Sequence, residues 1–290
     1  NQYLAQDIFT SYRAKPTYLA DFPIIDSAEA VEYLKQLKDN DECDIGVQLH
    51  PWANPPFEEE LSVENSYLCN LPNALIVKKL EFITERFYKE FGFSPTIFKA
   101  GRYGIDSDCL DIIRQYGYEI DTSVVPHTTF SSEKGPDFTN YPNKPCWLDD
   151  QKAFLELPIT RGFSGLLRST DASNYVSKFI DSKNMFTRRV PSLFARGNLL
   201  ERITLTPEGV DHAAHRRLMQ SLLKDGRKLF CLSYHSASLL PGSTPYVRNQ
   251  AELEVFLQRI SLFLEYFIED LGGQIVSPHK AAHLLRTAGK

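Results

Sequence analysis

Apolar residues recur at Ala30, Val31, Leu34 and Leu37, one stripe of a helix, and Ser27 stands where an N-cap belongs, so the pattern predicts a helix over 28–37. The stretch before it, PTYLADF at 16–22, reads as a strand closed by Pro23, and 45–49 reads as a buried strand. Further helices are expected over 73–91, over 106–116 with Gly117 as its stop, over 207–223 with Gly226 beyond it, and over 250–271. Strands are expected at 96–99, 118–120, 153–159, 228–234 and 274–276, and residues 175–193 read as partly helical.

Strand-then-helix alternation repeated in this way argues for an α/β fold with parallel strands and helical crossovers. The two architectures it allows are a (β/α) barrel and a doubly wound sheet. No GxGxxG follows the first strand, and unusual polar residues collect after several different strands; both features favour the barrel. No linker rich in Gly, Ser or charge interrupts the chain, so a single domain over 1–290 is expected. The chain opens at Asn1 directly on a helix-like pattern and without methionine, which suggests that a first strand has been lost ahead of it.

Composition narrows the partners. A net charge of −5 and the absence of a basic block argue against nucleic acid. No apolar run approaches the roughly 20 residues a membrane helix needs. Five scattered cysteines without a CxxC read as reduced thiols in a cytoplasmic compartment, with a secreted disulfide framework the weaker alternative.

In a parallel barrel, reactive groups sit at the C-terminal ends of the strands. Strand 45–49 runs into His50, Pro51 and Trp52; strand 96–99 into Gly101, Arg102, Tyr103 and Gly104; strand 118–120 into Asp121, Thr122 and Ser123. Glu156 lies within 153–159, and strand 228–234 ends in His235 and Ser236. Each has a plain reading: a hydrogen-bonded loop histidine, an arginine paired with a carboxylate, an Asp-Thr-Ser turn. Together on one rim they form a candidate polar site. The long loop SASLLPGSTPYVRN at 236–249 offers Tyr246 and Arg248 as a wall of a polar, sugar-holding cleft.

The segments DIGVQLHPWANPP, FKAGRYG, DTSVVP, LELPIT and LSYHSASLLPGSTPYVRN, in that order, resemble the motifs of polysaccharide deacetylases of the NodB-homology type (carbohydrate esterase family 4-like), and within it the WalW-like branch. The resemblance extends over nearly the whole chain. It implies a distorted or incomplete (β/α) barrel that hydrolyses the N-acetyl C–N amide of a sugar or polysaccharide in cell-envelope metabolism. It also implies a divalent metal, often zinc, that activates a water.

Carried over by position, His50 matches a metal histidine, His235 the late histidine that acts as acid, and Arg102 the arginine that orients the catalytic carboxylate. Asp121 joins His235 and Arg102 as a catalytic candidate. Trp52, Tyr103, Ser236, Tyr246 and Arg248 are the substrate-binding candidates. Gln48 falls where the family has its other metal histidine, and Asn54 does not restore the H-x-x-x-H spacing downstream. The family's paired aspartates belong to a strand expected ahead of this chain. The alternative is a non-catalytic glycan-binding or scaffold protein that kept the fold and lost the metal.

Overall fold

The computed structural model describes residues 1–166, 168 and 200–288. They group into two compact units: 16–158 with 277–288, and 1–15 with 159–166, 168 and 200–276. The architecture is mixed α/β with a mainly parallel sheet.

In the first unit, strands β1 (Thr17–Ala20), β2 (Asp44–Leu49), β3 (Ile97–Ala100), β4 (Ile120–Asp121), β5 (Cys146–Trp147) and β6 (Leu155–Glu156) form one sheet in the order β1-β2-β3-β4-β6-β5. All pairings are parallel except β5 with β6. Helices α1 (Tyr3–Ser11), α2 (Phe22–Ile25), α3 (Ala28–Asp39), α4 (Asn73–Phe91) and α5 (Ser107–Gln115) follow the apolar stripes, α1 in the second unit and the others in the first. Ser27 accepts from Ala30 N and Asp106 from Cys109 N, which fixes where α3 and α5 begin. Ile45, Val47 and Leu49 pack with Leu75, Ile76, Leu80 and Ile83 of α4 in the core of this unit.

The second unit holds an antiparallel hairpin, β7 (Arg161–Ser164) with β8 (Glu201–Thr204), and the helices α6 (His212–Lys224) and α7 (Gln250–Glu265). Its core joins Phe9 of α1 to Leu218, Met219, Phe256, Ile260 and Phe263. Helix α8 (Pro278–Ala288) belongs to the first unit.

Several expectations are corrected. The helix expected from 207 begins at His212, because Asp211 accepts from Ala214 N and so caps it there. Among the described residues no ladder forms over 228–234. That segment makes isolated bonds instead, Thr160 N to Cys231 O at 3.3 Å and Ser233 N to Leu205 O at 3.2 Å. Residues 274–276 are not a strand either. A closed barrel is not seen among the described residues: the sheet runs from an edge at β1 to an edge at β5. The expectation of a missing first strand has no support in it, since β1 pairs with β2 in continuous register. The partly helical reading of 175–193 lies outside the described residues.

Candidate functional site

The strand-end rule brings one unexpected residue to the first unit's site. Asp21 directly follows β1, and its Oδ2 lies 3.1 Å from Nδ1 of His50, which directly follows β2. A carboxylate on Nδ1 fixes the imidazole's orientation and leaves Nε2 for other work. The His50 ring also lies 4.7 Å from that of Trp52, tilted by 49°. Gly101 makes this packing possible, because a Cβ there would sit 2.2 Å from Cδ2 of His50. Gln48, half-buried, is two residues before His50 and so shares its face of β2; it pairs across the sheet with Lys99.

Arg102 takes a left-handed backbone conformation (φ 52°). Its guanidinium donates to Tyr67 Oη at 2.9 Å, pairs with Glu133, and lies over the Tyr67 ring. Tyr67 in turn donates to Glu133 at 3.0 Å. Burial, partly offset by Arg102, raises the phenol's pKa. Tyr103 stacks on Phe130 at 5.7 Å, and the Lys99 ammonium lies over the Tyr103 ring, 5.0 Å from its centroid. A groove of about 470 Å³ is lined by Trp52, Glu60, Leu61, Val63, Asn65 and Arg102.

Asp121 lies away from solvent. It is fully buried and accepts from Ser123 N at 2.9 Å and Ser123 Oγ at 2.7 Å, while Ser123 Oγ accepts from Ala100 N. Across the β4–β6 pair stands Glu156, also fully buried. Desolvation first, and then the Asp121 charge, push the Glu156 carboxyl well above the usual range. Its Oε1 accepts from Val124 N, and its Oε2 has no donor of its own. A proton on Oε2 shared with Asp121 accounts for both facts.

In the second unit, His235 has the carboxylate partner that a leaving-group acid requires. Glu208, 6% exposed at its side chain, places Oε2 2.9 Å from His235 Nδ1 and accepts from His235 N at 3.1 Å and Ser238 Oγ at 2.6 Å. The imidazole itself is 60% exposed. Ser236 and Tyr246 are exposed on the following loop, and Arg248 forms an ion pair with Glu252. His50, Trp52, Arg102 and Asp121 thus belong to one unit, and His235, Ser236, Tyr246 and Arg248 to the other.

Among the described residues no three His, Cys, Asp or Glu side chains gather as metal ligands. Asp21 and His50 supply two donors, one short of the three protein ligands of a catalytic zinc site. The donor set does not fit that metal.

Asp21, Glu133, Tyr67 and Glu208 escaped the sequence reading. Asp21 falls inside the strand expected at 16–22 and becomes a strand-end acid only because β1 stops at Ala20; the others meet their partners through tertiary packing.

No family model matches the chain, and no curated protein matches it by sequence. Among solved structures, the chain is similar to a "putative polysaccharide deacetylase from Mycobacterium smegmatis", at 11% identity and a TM-score of 0.53, over 99% of this chain and 77% of that one. The fold is thus similar to that of the deacetylase structure. A glucose-bound GH57 branching enzyme from Thermococcus kodakaraensis is matched at 10% identity over 88% of this chain and 49% of that one, with a TM-score of 0.44.

Proposed function

We propose that this protein modifies carbohydrate as a hydrolase of the polysaccharide-deacetylase type, cleaving the N-acetyl amide of a sugar or polysaccharide of the cell envelope on an incomplete (β/α) barrel. The observation that carries the reading is the buried Glu208 carboxylate on Nδ1 of His235. It stabilises the imidazolium, whose Nε2–H is the proton a departing amine needs. In the neutral form the same Nε2 accepts a proton from the attacking water, and Glu208 keeps the tautomer that allows it.

Trp52 offers a flat apolar face, and Asn65 and Arg102 polar edges, for a pyranose ring in the groove. Within the first unit Asp121 takes a positioning role: through Ser123 it ties the end of β4 to Ala100 of β3. Acetate release from N-acetylglucosamine oligomers tests the reading. Wild-type protein should release acetate and His235→Ala should not; no release by the wild type overturns it.

A second reading, glycan binding without catalysis, is favoured by Gln48, an amide where the resemblance implies a metal histidine. Oligomer binding in the absence of any acetate release would select it.

A further inference from the structure

Lys79 is a lysine on the wrong side of its helix. Leu75, Ile76, Leu80 and Ile83 surround it on the core face of α4, and Lys79 itself is fully buried. A charged group is placed there at a desolvation cost unless its partners compensate. Those partners all come from one segment. Nζ donates to Pro51 O at 3.0 Å, Asn54 O at 2.7 Å and Pro56 O at 2.7 Å, and lies 2.9 Å from Oε1 of Glu59, whose side chain is 5% exposed.

The sequence of that segment explains the demand. HPWANPPFEEE has prolines at 51, 55 and 56, which carry no N–H, so its carbonyls outnumber the donors it can offer itself. An ammonium supplies three N–H groups from one point. The three carbonyls take all three, which leaves Glu59 an ionic contact only. This agrees with the absence of a hydrogen-bond donor on either Glu59 oxygen. Asn54 closes the clamp from the other side by donating through Nδ2 to Lys79 O at 3.0 Å.

The clamped residues begin next to His50, carry Trp52, and end at Glu59 and Glu60 in the wall of the groove. We infer that Lys79 is a positioning residue for this groove: its ammonium holds the 51–59 segment in the shape that presents Trp52 to a bound sugar. The sugar as occupant rests on the function proposed above; the clamp does not.

The test uses the Trp147→Phe protein, in which Trp52 is the only indole. Lys79→Ala removes three methylenes and the ammonium, a volume that n-propylammonium matches. The expected result is an altered Trp52 emission in Lys79→Ala, restored by n-propylammonium and left unrestored by n-propanol. Affinity for a tetramer of N-acetylglucosamine should fall about tenfold or more and return with the amine.

Should Lys79→Ala not fold, Glu59→Gln keeps the lysine and removes only its ionic partner, and the backbone amide resonances of 51–61 should move. Unchanged Trp52 emission in a folded Lys79→Ala, or unmoved amides in Glu59→Gln, overturns the clamp. Unchanged tetramer affinity beside an altered Trp52 overturns its role in presenting the sugar. A responsive Trp52 in a parent protein that binds no tetramer supports the clamp and removes the carbohydrate reading.

Discussion

Glu156→Gln should leave the protein as stable as wild type in acid and make it more stable at neutral pH. Glutamine keeps the side chain's shape, its Oε1 can accept from Val124 N as the carboxyl does, and its amide can donate to Asp121 as the protonated Oε2 does. The variant is thus a permanent copy of the protonated state. In the unfolded chain Glu156 titrates near 4.3; in the folded protein burial and Asp121 hold its pKa well above that.

A carboxyl raised on folding binds more protons folded than unfolded between those two values. Its stabilisation is therefore complete below the unfolded pKa and is lost as pH rises towards the folded one. One proton sets the slope: wild-type stability should fall relative to the variant by about 1.4 kcal/mol per pH unit within that window, whatever its upper edge. Urea unfolding of both proteins at intervals from pH 5 to 8 measures the difference, provided the m-values agree. Two stability curves that run parallel across this range would refute the shared proton, and with it the account of the unpartnered Oε2.

Three other outcomes follow from the same contacts. His235→Ala should lower turnover on an N-acetylated sugar by roughly 10²–10⁴-fold with little change in stability, since the ring is mostly exposed, and Glu208→Gln should lower kcat by about tenfold or more at nearly constant KM; steady-state kinetics beside urea melts decide both. Trp52→Ala should weaken oligosaccharide binding by ~1 kcal/mol, roughly fivefold in Kd by calorimetry, and no change would empty the groove of its role. Gly101→Ala should displace the His50 ring and cost ~1–3 kcal/mol, seen as a lost contact to Asp21 in the imidazole NMR signals and a lower urea midpoint.

The helices were the most legible part of this chain. Helix α4 spans 73–91 as its apolar stripe predicts, and α3 begins where Ser27 caps it, because amphipathic spacing and capping are local properties. The apolar run at 228–234 looked equally strong as a strand, yet pairing depends on a neighbour in register, and among the described residues its backbone makes scattered bonds to Thr160 and Leu205 in place of a ladder. Lys79 was illegible for a related reason: a lysine among apolar helix positions reads as solvated until the prolines that need its hydrogens are seen beside it. Glu208 fell inside the helix expected from 207, where an acid looks like ordinary first-turn decoration, and its real position ahead of the Asp211 cap frees it for His235. Asp21 was illegible because the strand pattern runs on through Phe22, whereas β1 ends at Ala20 and leaves the acid at its tip.

The turn after β3 holds two consecutive non-glycine residues, Arg102 and Tyr103, at φ values of 52° and 61°. Side chains at such angles cost of order 1 kcal/mol or more each relative to glycine. A selection for heat resistance alone would therefore drift toward glycine or asparagine at both positions, discarding the Arg102–Glu133 pair and the Tyr103–Phe130 stack as it gained stability. A screen that scores survival on heating and ligand capture separately should find the two properties moving in opposite directions at this turn.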